Sequence, residues 1–401
     1  MSTGAPAAAQ SVARTTIGRL WRRISSGEVG SLPVILGLVL IWAVFDFLNP
    51  NFLSPRNLTN LTVQITDIGI VSTGIVLVLL LGEIDLSVGS VYGLGSAVMA
   101  VLNVKYGWSA VPAVAAGVLT GTVIGTLHGF WFTRFRIPSF VVTLAGLLAW
   151  LGAQLLVLGE TGTINIYDKS IDQLAGRFFD PSVGWIIAAL VVVVLGVDLV
   201  VRRRRRVAAG LPPNGLIGDA AKYVVIAAVV LGATAVVAGD RGVPLALLIL
   251  LSFIIGFDIL TTRTRFGRHV FAVGGNAEAA RRAGISVNSI RIAVFALCGT
   301  MAAAGGIMGA SRLFAVNYSS GSGDVLLNAI AAAVIGGTSL FGGRGTVWSA
   351  LTGALVIGSI NNGLALLSVS ADVKYMITGG VLLAAVTIDA VARQGRQRAG
   401  V

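Results

Sequence analysis

Leu81-Gly-Glu-Ile-Asp-Leu-Ser-Val-Gly-Ser90 interrupts an apolar run that starts at residue 61 and resumes to residue 104. Its two carboxylates, Glu83 and Asp85, stand between stretches each long enough to cross a bilayer, where an ionised side chain is expensive unless it faces water or a partner. On a continuous helix residues two apart point about 200° away from each other, so the pair suits a broken or extended backbone inside a membrane protein. Glu83, Asp85 and Ser87 are therefore candidates for a polar pathway lining or a gate. The plainer reading is that Asp85 caps a half-helix starting near Leu86. A proton relay would use the same residues.

The rest of the chain agrees with a membrane setting. Of 401 residues, 55% are hydrophobic, 11% are charged and 52 are glycine. A soluble globular chain carries about 25% charged residues, so an ordinary soluble enzyme is excluded. Apolar segments near the roughly 17–25 residues of a bilayer crossing recur at 31–48, 61–81, 86–104, 110–132, 138–158, 183–201, 221–238, 243–260, 290–310, 325–341, 346–367 and 374–391. The expected fold is all-α: a polytopic transmembrane helical bundle of about 10–12 spans with broken or re-entrant segments, 325–341 being the crossing that Gly336, Gly337, Gly342 and Gly343 could instead make re-entrant. The domain reading is a basic cytoplasmic tail at 1–30, one transmembrane domain at 31–391 and a cytoplasmic tail at 392–401. No cleaved signal peptide is expected, because the apolar stretch starts late and no cleavage site precedes the next span.

The formal net charge is +12. No soluble domain presents that charge to nucleic acid, and the positive-inside rule accounts for it. With twelve crossings and an internal N-terminus, 22 of the 29 Lys and Arg fall on the cytoplasmic side, while the external loop 159–182 holds Glu160, Asp168, Asp172 and Asp180. Both termini are then cytoplasmic in a multi-pass plasma-membrane protein. The run Arg202 to Arg206 directly follows an apolar stretch and reads as a stop and an anchor to anionic membrane lipid.

Metal and nucleophile chemistry find little support. Cys298 is the only cysteine and reads as helix packing, and His128 and His269 lie in no metal motif. No cofactor is expected in this chain. Gly117, Gly121, Gly125 and Gly129 form a stripe that permits close helix approach, static or moving. Gly336-Gly-Thr-Ser-Leu-Phe-Gly-Gly343 repeats the spacing of Gly82, Leu86 and Gly89, a weak internal echo of the kind transporter repeats show. Asn361 and Asn362 carry amides inside an apolar span, where they either hold helices together or meet a polar solute.

The basic loop 261–289 contains Gly274-Gly275-Asn276-Ala277-Glu278-Ala279-Ala280-Arg281-Arg282-Ala283-Gly284-Ile285. Asn276 is a good N-cap, Glu278 suits the first turn, Arg281 and Arg282 suit the last, and Gly284 suits the left-handed C-terminal position. A helix this short is marginal alone and needs a surface, either a partner protein or its own bundle.

These segments, with Thr264-Arg-Phe-Gly-Arg268, Pro138-Ser-Phe-Val-Val-Thr-Leu-Ala-Gly146 and Ala329-Ile-Ala-Ala-Ala-Val-Ile-Gly-Gly-Thr-Ser-Leu340, resemble the sugar permeases of ABC importers, the ribose and xylose type. The resemblance runs in order from about Leu53 to Asp389. Extra spans around Arg202 to Arg206, and Asp240-Arg-Gly-Val-Pro244, resemble the longer, xylose branch. The resemblance implies a permease homodimer, a cytoplasmic ABC ATPase subunit and an extracytoplasmic sugar-binding protein. It also implies that Gly275, Asn276, Glu278, Ala279, Ala280, Arg281, Gly284 and Ile285 belong to the element that docks on the ATPase. The sequence has no G-x-x-x-x-G-K-[ST] phosphate loop, so ATP hydrolysis falls to another chain. The expected function is alternating access for a pentose or similar monosaccharide, and the alternative is a proton-coupled secondary sugar transporter using Glu83 and Asp85.

Overall fold

The computed structural model describes residues 32–210, 216–381, 383, 384 and 387. The tails at 1–30 and 392–401 lie outside them. Eleven apolar helices stand among the described residues, nine of them long enough to cross a membrane. In chain order these begin with α1 (Leu32–Leu48), α2 (Pro55–Leu80), α3 (Val88–Ala100, continued by a wider turn at Val101–Lys105), α4 (Ala110–Phe135) and α5 (Ser139–Leu158). A short external-loop set follows: β1 (Thr163–Asn165), α6 (Lys169–Gly176) and β2 (Phe178–Phe179). Then come α7 (Pro181–Ala208), α8 (Leu216–Ala238), β3 (Val243–Pro244), α9 (Leu245–Arg263), the short helices α10 (Arg265–Gly275) and α11 (Ala277–Arg282), and α12 (Val287–Leu313). The described order closes with β4 (Ala315–Asn317), α13 (Gly323–Ile335) and α14 (Trp348–Leu366). Residues 371–381 are helical as well, and most of the rest of the expected span 374–391 lies outside the described residues.

The core is built on α2 and α12, whose surfaces are mostly buried. The glycine stripe explains the closest packing. Beside Gly129 a Cβ would lie 2.7 Å from Ile292 Cα, and beside Gly117 it would lie 2.6 Å from Gly95 O, while Gly121 and Gly125 abut the backbones of Gly299 and Phe295. The α4 backbone thus lies directly on α12 and α3, as small-residue stripes permit in a bilayer. Thr122 and Thr300 add a hydroxyl contact of 2.7 Å across the α4–α12 interface. Cys298 is fully buried in this core, as packing predicts. The α7–α8 hairpin lies at the periphery, with much of its apolar surface exposed in the single chain.

One expected feature changes shape. The span 325–341 is a helix of 13 residues, which rises about 20 Å against a hydrocarbon core of about 30 Å. It stops at Ile335 because Gly336 sits against the Ser349 backbone and Gly337 takes φ +106, a left-handed conformation that ends the helix. The chain then stays irregular until α14. The break at 81–87 stands where the two carboxylates require it: α2 ends at Leu80 and α3 begins at Val88.

Candidate functional site

The unwound segment 81–87 exposes backbone groups that a membrane interior cannot satisfy. Side chains of α5 supply partners. Ile84 N–H donates to Ser139 Oγ at 3.4 Å, and Leu86 N–H donates to Thr143 Oγ1 at 3.1 Å. This gives the Pro138-to-Gly146 motif a physical task, because its Ser and Thr are one helical turn apart and face the extended chain. Gly82 takes φ +74 and turns the chain out of α2.

Each carboxylate of the break has a partner. Glu83 Oε1 pairs with Arg291 Nη2 at 2.8 Å, both side chains being largely shielded, and Arg291 lies 5.7 Å from the centre of the Phe132 ring. Asp85 Oδ1 accepts from Ser87 N–H at 2.9 Å and from Ser87 Oγ at 2.6 Å. Ser87, not Asp85, occupies the N-cap position of α3, so Asp85 fixes the turn that precedes the half-helix. The chain of contacts continues: Ser87 Oγ lies 3.3 Å from His128 Nδ1, and Trp150 Nε1 donates to His128 Nε2 at 2.9 Å. An indole nitrogen only donates, so Nε2 is an acceptor and a neutral His128 carries its proton on Nδ1, directed at Ser87. Serine, histidine and aspartate are adjacent, yet Asp85 bonds the serine rather than the histidine. The arrangement holds the break in place and lacks the order of a nucleophilic triad.

The second break meets the first. Gly343 N–H donates to Leu80 O at 2.9 Å, and a Cβ beside Gly342 would lie 2.9 Å from Gly82 N and 2.7 Å from Gly274 O. Gly274, at the end of α10, lies directly against Leu80 O. Three side-chain-free segments, 80–82, 342–343 and 274, therefore form one backbone junction. The two segments that share the weak echo, 82–89 and 336–343, thus hold two breaks that touch.

The capped helix hangs from this junction. Asn276 Oδ1 accepts from Ala279 N–H at 2.9 Å, and Glu278 pairs with Arg281 at 3.2 Å and with Arg282 at 3.3 Å. Gly284 takes φ +83. Ala280 is buried and Ile285 packs on the core, while Glu278, Ala279, Arg281 and Gly284 are exposed and Gly275 has open space beside it. The helix thus packs one face on its own bundle and leaves the other free. Between it and the first break lies a cavity of about 650 Å³ lined by Glu83, Arg136, Ser139, Arg281 and Arg291 among others.

Asn362 lies elsewhere. Its Oδ1 accepts from Asn57 at 2.8 Å and its amide donates to Gln64 Oε1 at 3.0 Å, which ties α14 to α2. Asn361 is half-buried beside it.

Sequence reasoning passed over several polar groups. Asp67, buried within α2, accepts from Tyr92 at 3.3 Å and pairs with Arg312 at 3.7 Å. A lone Asp in an apolar span was a readable signal. The loop between β4 and α13, Asn317-Tyr-Ser-Ser-Gly-Ser-Gly-Asp324, is rich in small polar residues and is held by Gln154, whose amide donates to Asn317 O at 3.0 Å and Ser320 O at 2.9 Å. At this end β1 pairs with β4. Here burial disfavours the charged carboxylate of Asp168, but hydrogen bonds from Asn103 and Ser170 outweigh it and hold the carboxyl below its usual range.

Residues 57–386 match the family described as branched-chain amino acid transport system / permease component. The xylose transport system permease protein of Escherichia coli is 37% identical over 90% of this chain and 92% of its own length. That of Haemophilus influenzae is 36% identical, over 89% and 95%. The ribose import permease protein of Bacillus subtilis is 31% identical, over 90% and 94%. No solved structure matches.

Proposed function

We propose a pentose of the xylose type as cargo from one premise: the chain belongs to the branched-chain amino acid transport system permease family and is the permease subunit of an ABC sugar importer. It is a multi-pass membrane protein and not itself an enzyme. A proton-coupled carrier has no support, since the relatives are named as permeases of transport systems and Glu83 is held in an ion pair.

The finer parts of the reading are ours. The face bearing Arg136, Arg281 and Arg291 is cytoplasmic, with both termini on that side. A separate ATPase docks on the free face of α11 through Gly275, Asn276, Glu278, Ala279, Arg281 and Gly284, with Ala280 and Ile285 seating the helix on the bundle, and two permease copies form the pathway. A sugar-binding protein delivers cargo at the opposite face, so Glu83, Asp85, Ser87, Asn361 and Asn362 act by lining or gating the path. The observation that carries this reading is the junction of α10 with both breaks, because a push on α11 reaches the end of α2 and the irregular segment between α13 and α14 through backbone contacts.

The test is reconstitution with the ATPase and the binding protein in vesicles. Uptake of xylose that needs ATP and both partners, and that survives collapse of the proton gradient, supports the proposal. Transport by this chain alone under a proton gradient would refute it. Substituting Glu278 or Gly284 is expected to lower transport-linked ATPase activity while insertion into the membrane is retained.

A further inference from the structure

The cavity between α11 and the first break is unlike the rest of the apolar bundle. Three arginines from three elements converge on it: Arg136 from the end of α4, Arg281 from α11 and Arg291 from the first turns of α12. Glu83 is the only carboxylate among the lining residues, so three positive charges face one negative charge. Glu83 occupies Nη2 of Arg291, while the Nε of Arg291 is buried without a partner. Arg281 is committed to Glu278 through one nitrogen. Arg136 makes no hydrogen bond or ion pair among the described residues, and its backbone takes φ 56. That left-handed position is the C-cap that ends α4, and it sets Arg136 at the mouth of the cavity. Asn288 and Ser139 add neutral polar groups to the wall.

We propose that this pocket binds a phosphate group, gripped by Arg136 and Arg281 with Arg291 behind them. Guanidinium forks match phosphate oxygens in pairs. Three such forks around one pocket offer more donors than a single carboxylate can accept. A basic pocket between membrane helices is also the setting in which phospholipid headgroups are held, and Trp131, Phe135 and Phe140 are exposed on the adjoining helices. The phosphate therefore comes either from solution or from an anionic lipid. In either case it competes with Glu83 for Arg291, so occupancy is felt at the break that Glu83 tethers to α12. The assignment does not depend on which solute the permease carries.

The test uses the full chain. Delipidated protein in detergent is titrated with inorganic phosphate, at ionic strength matched with chloride, and the thermal midpoint is followed. In parallel, protein extracted from bilayers of phosphatidylglycerol and phosphatidylcholine is weighed intact by native mass spectrometry. The expected result is a saturable rise of the midpoint with phosphate that is weakened about tenfold in affinity by Arg136→Gln and partly restored by Arg136→Lys. Arg281→Gln serves as a second variant, with a similar loss, should Arg136→Gln not fold. One retained phosphatidylglycerol per chain, lost in the variant, identifies the lipid as the source; phosphate binding without lipid retention identifies the soluble anion. No saturable response to either, or equal binding by folded Arg136→Gln, overturns the proposal.

Discussion

Replacing Gly274 with alanine probes the backbone junction with a single carbon. The new Cβ would overlap Leu80 O and lie 2.9 Å from Gly343 N, where ordinary contact begins at 3.4 Å. Relieving the second contact alone needs a shift of 0.5 Å (3.4 minus 2.9), and the first needs more. Neither partner is a flexible side chain, so α10 must move away from the end of α2. Overpacking of this kind costs about 1–3 kcal/mol, and the Gly343-to-Leu80 hydrogen bond beneath the new methyl is worth about 1 kcal/mol. Alanine recovers about 0.5–1 kcal/mol of helix propensity, which leaves a net loss of about 1–3 kcal/mol. Gly275→Ala is the matched control for stability, because a Cβ there meets nothing within 4 Å and only the propensity gain remains; coupling, in which Gly275 is itself assigned a part, is compared with the unsubstituted chain. The assay is thermal unfolding of both variants in the same detergent, followed by transport-linked ATPase activity after reconstitution. Gly274→Ala is expected to unfold well below Gly275→Ala and to hydrolyse ATP with less transport per turnover. Equal midpoints would refute the junction itself, and equal midpoints with equal coupling would remove its role in transmission.

Three further outcomes are expected. Glu83→Gln leaves Arg291 without its counter-charge and is expected to lower stability by about 1–3 kcal/mol, less than a fully buried pair because both side chains keep some exposure; a double-mutant cycle with Arg291→Gln measures the coupling, and additivity would refute the pair. Asn362→Ala removes an acceptor from Asn57, which keeps its bond to Phe52 O, and the donor to Gln64, and is expected to cost about 1–2 kcal/mol, read by thermal unfolding against Asn361→Ala. At Asp168 the folded carboxyl titrates below its unfolded value, so its stabilisation is present above the usual carboxylate range and is lost as pH falls through the lower, folded value; protection of α6 amides, measured against the intrinsic exchange rate at each pH, should fall with acid in the native chain and show a smaller acid dependence in Asp168→Asn.

The membrane class was legible because hydropathy and arginine placement act over whole segments, and the break was legible because two carboxylates in an apolar run allow few backbones. The glycine stripe was legible as close approach, though not its partners, since a spacing of four names a helix face and not the helix that meets it. The partners of Glu83 and Ser87 across the bundle were not legible. Arg291 lies 208 residues from Glu83 and His128 lies 41 from Ser87, and only folding brings such residues together. The span 325–341 was half legible: its apolar content is that of a crossing and its glycines already left a re-entrant segment open, but where the helix ends is set at Gly336 and Gly337 by backbone geometry that hydropathy does not record.

The two breaks and the capped helix also explain why glycine gathers at one place in the fold. Where backbone meets backbone, no rotamer can absorb a displacement, so the segments at 80–82, 274 and 342–343 move together or separate. Side chains restrain the same region from the other direction: Glu83 ties the break to α12, and Ser139 and Thr143 tie it to α5. The first set transmits motion and the second resists it. A region held by both kinds of contact has a small number of discrete arrangements rather than a continuous range. If an anion competes for Arg291 as proposed, the Glu83–Arg291 pair is the part of the assembly where a modest energy selects between arrangements, because it tethers the same break that the backbone contacts at 80–82, 274 and 342–343 bind together.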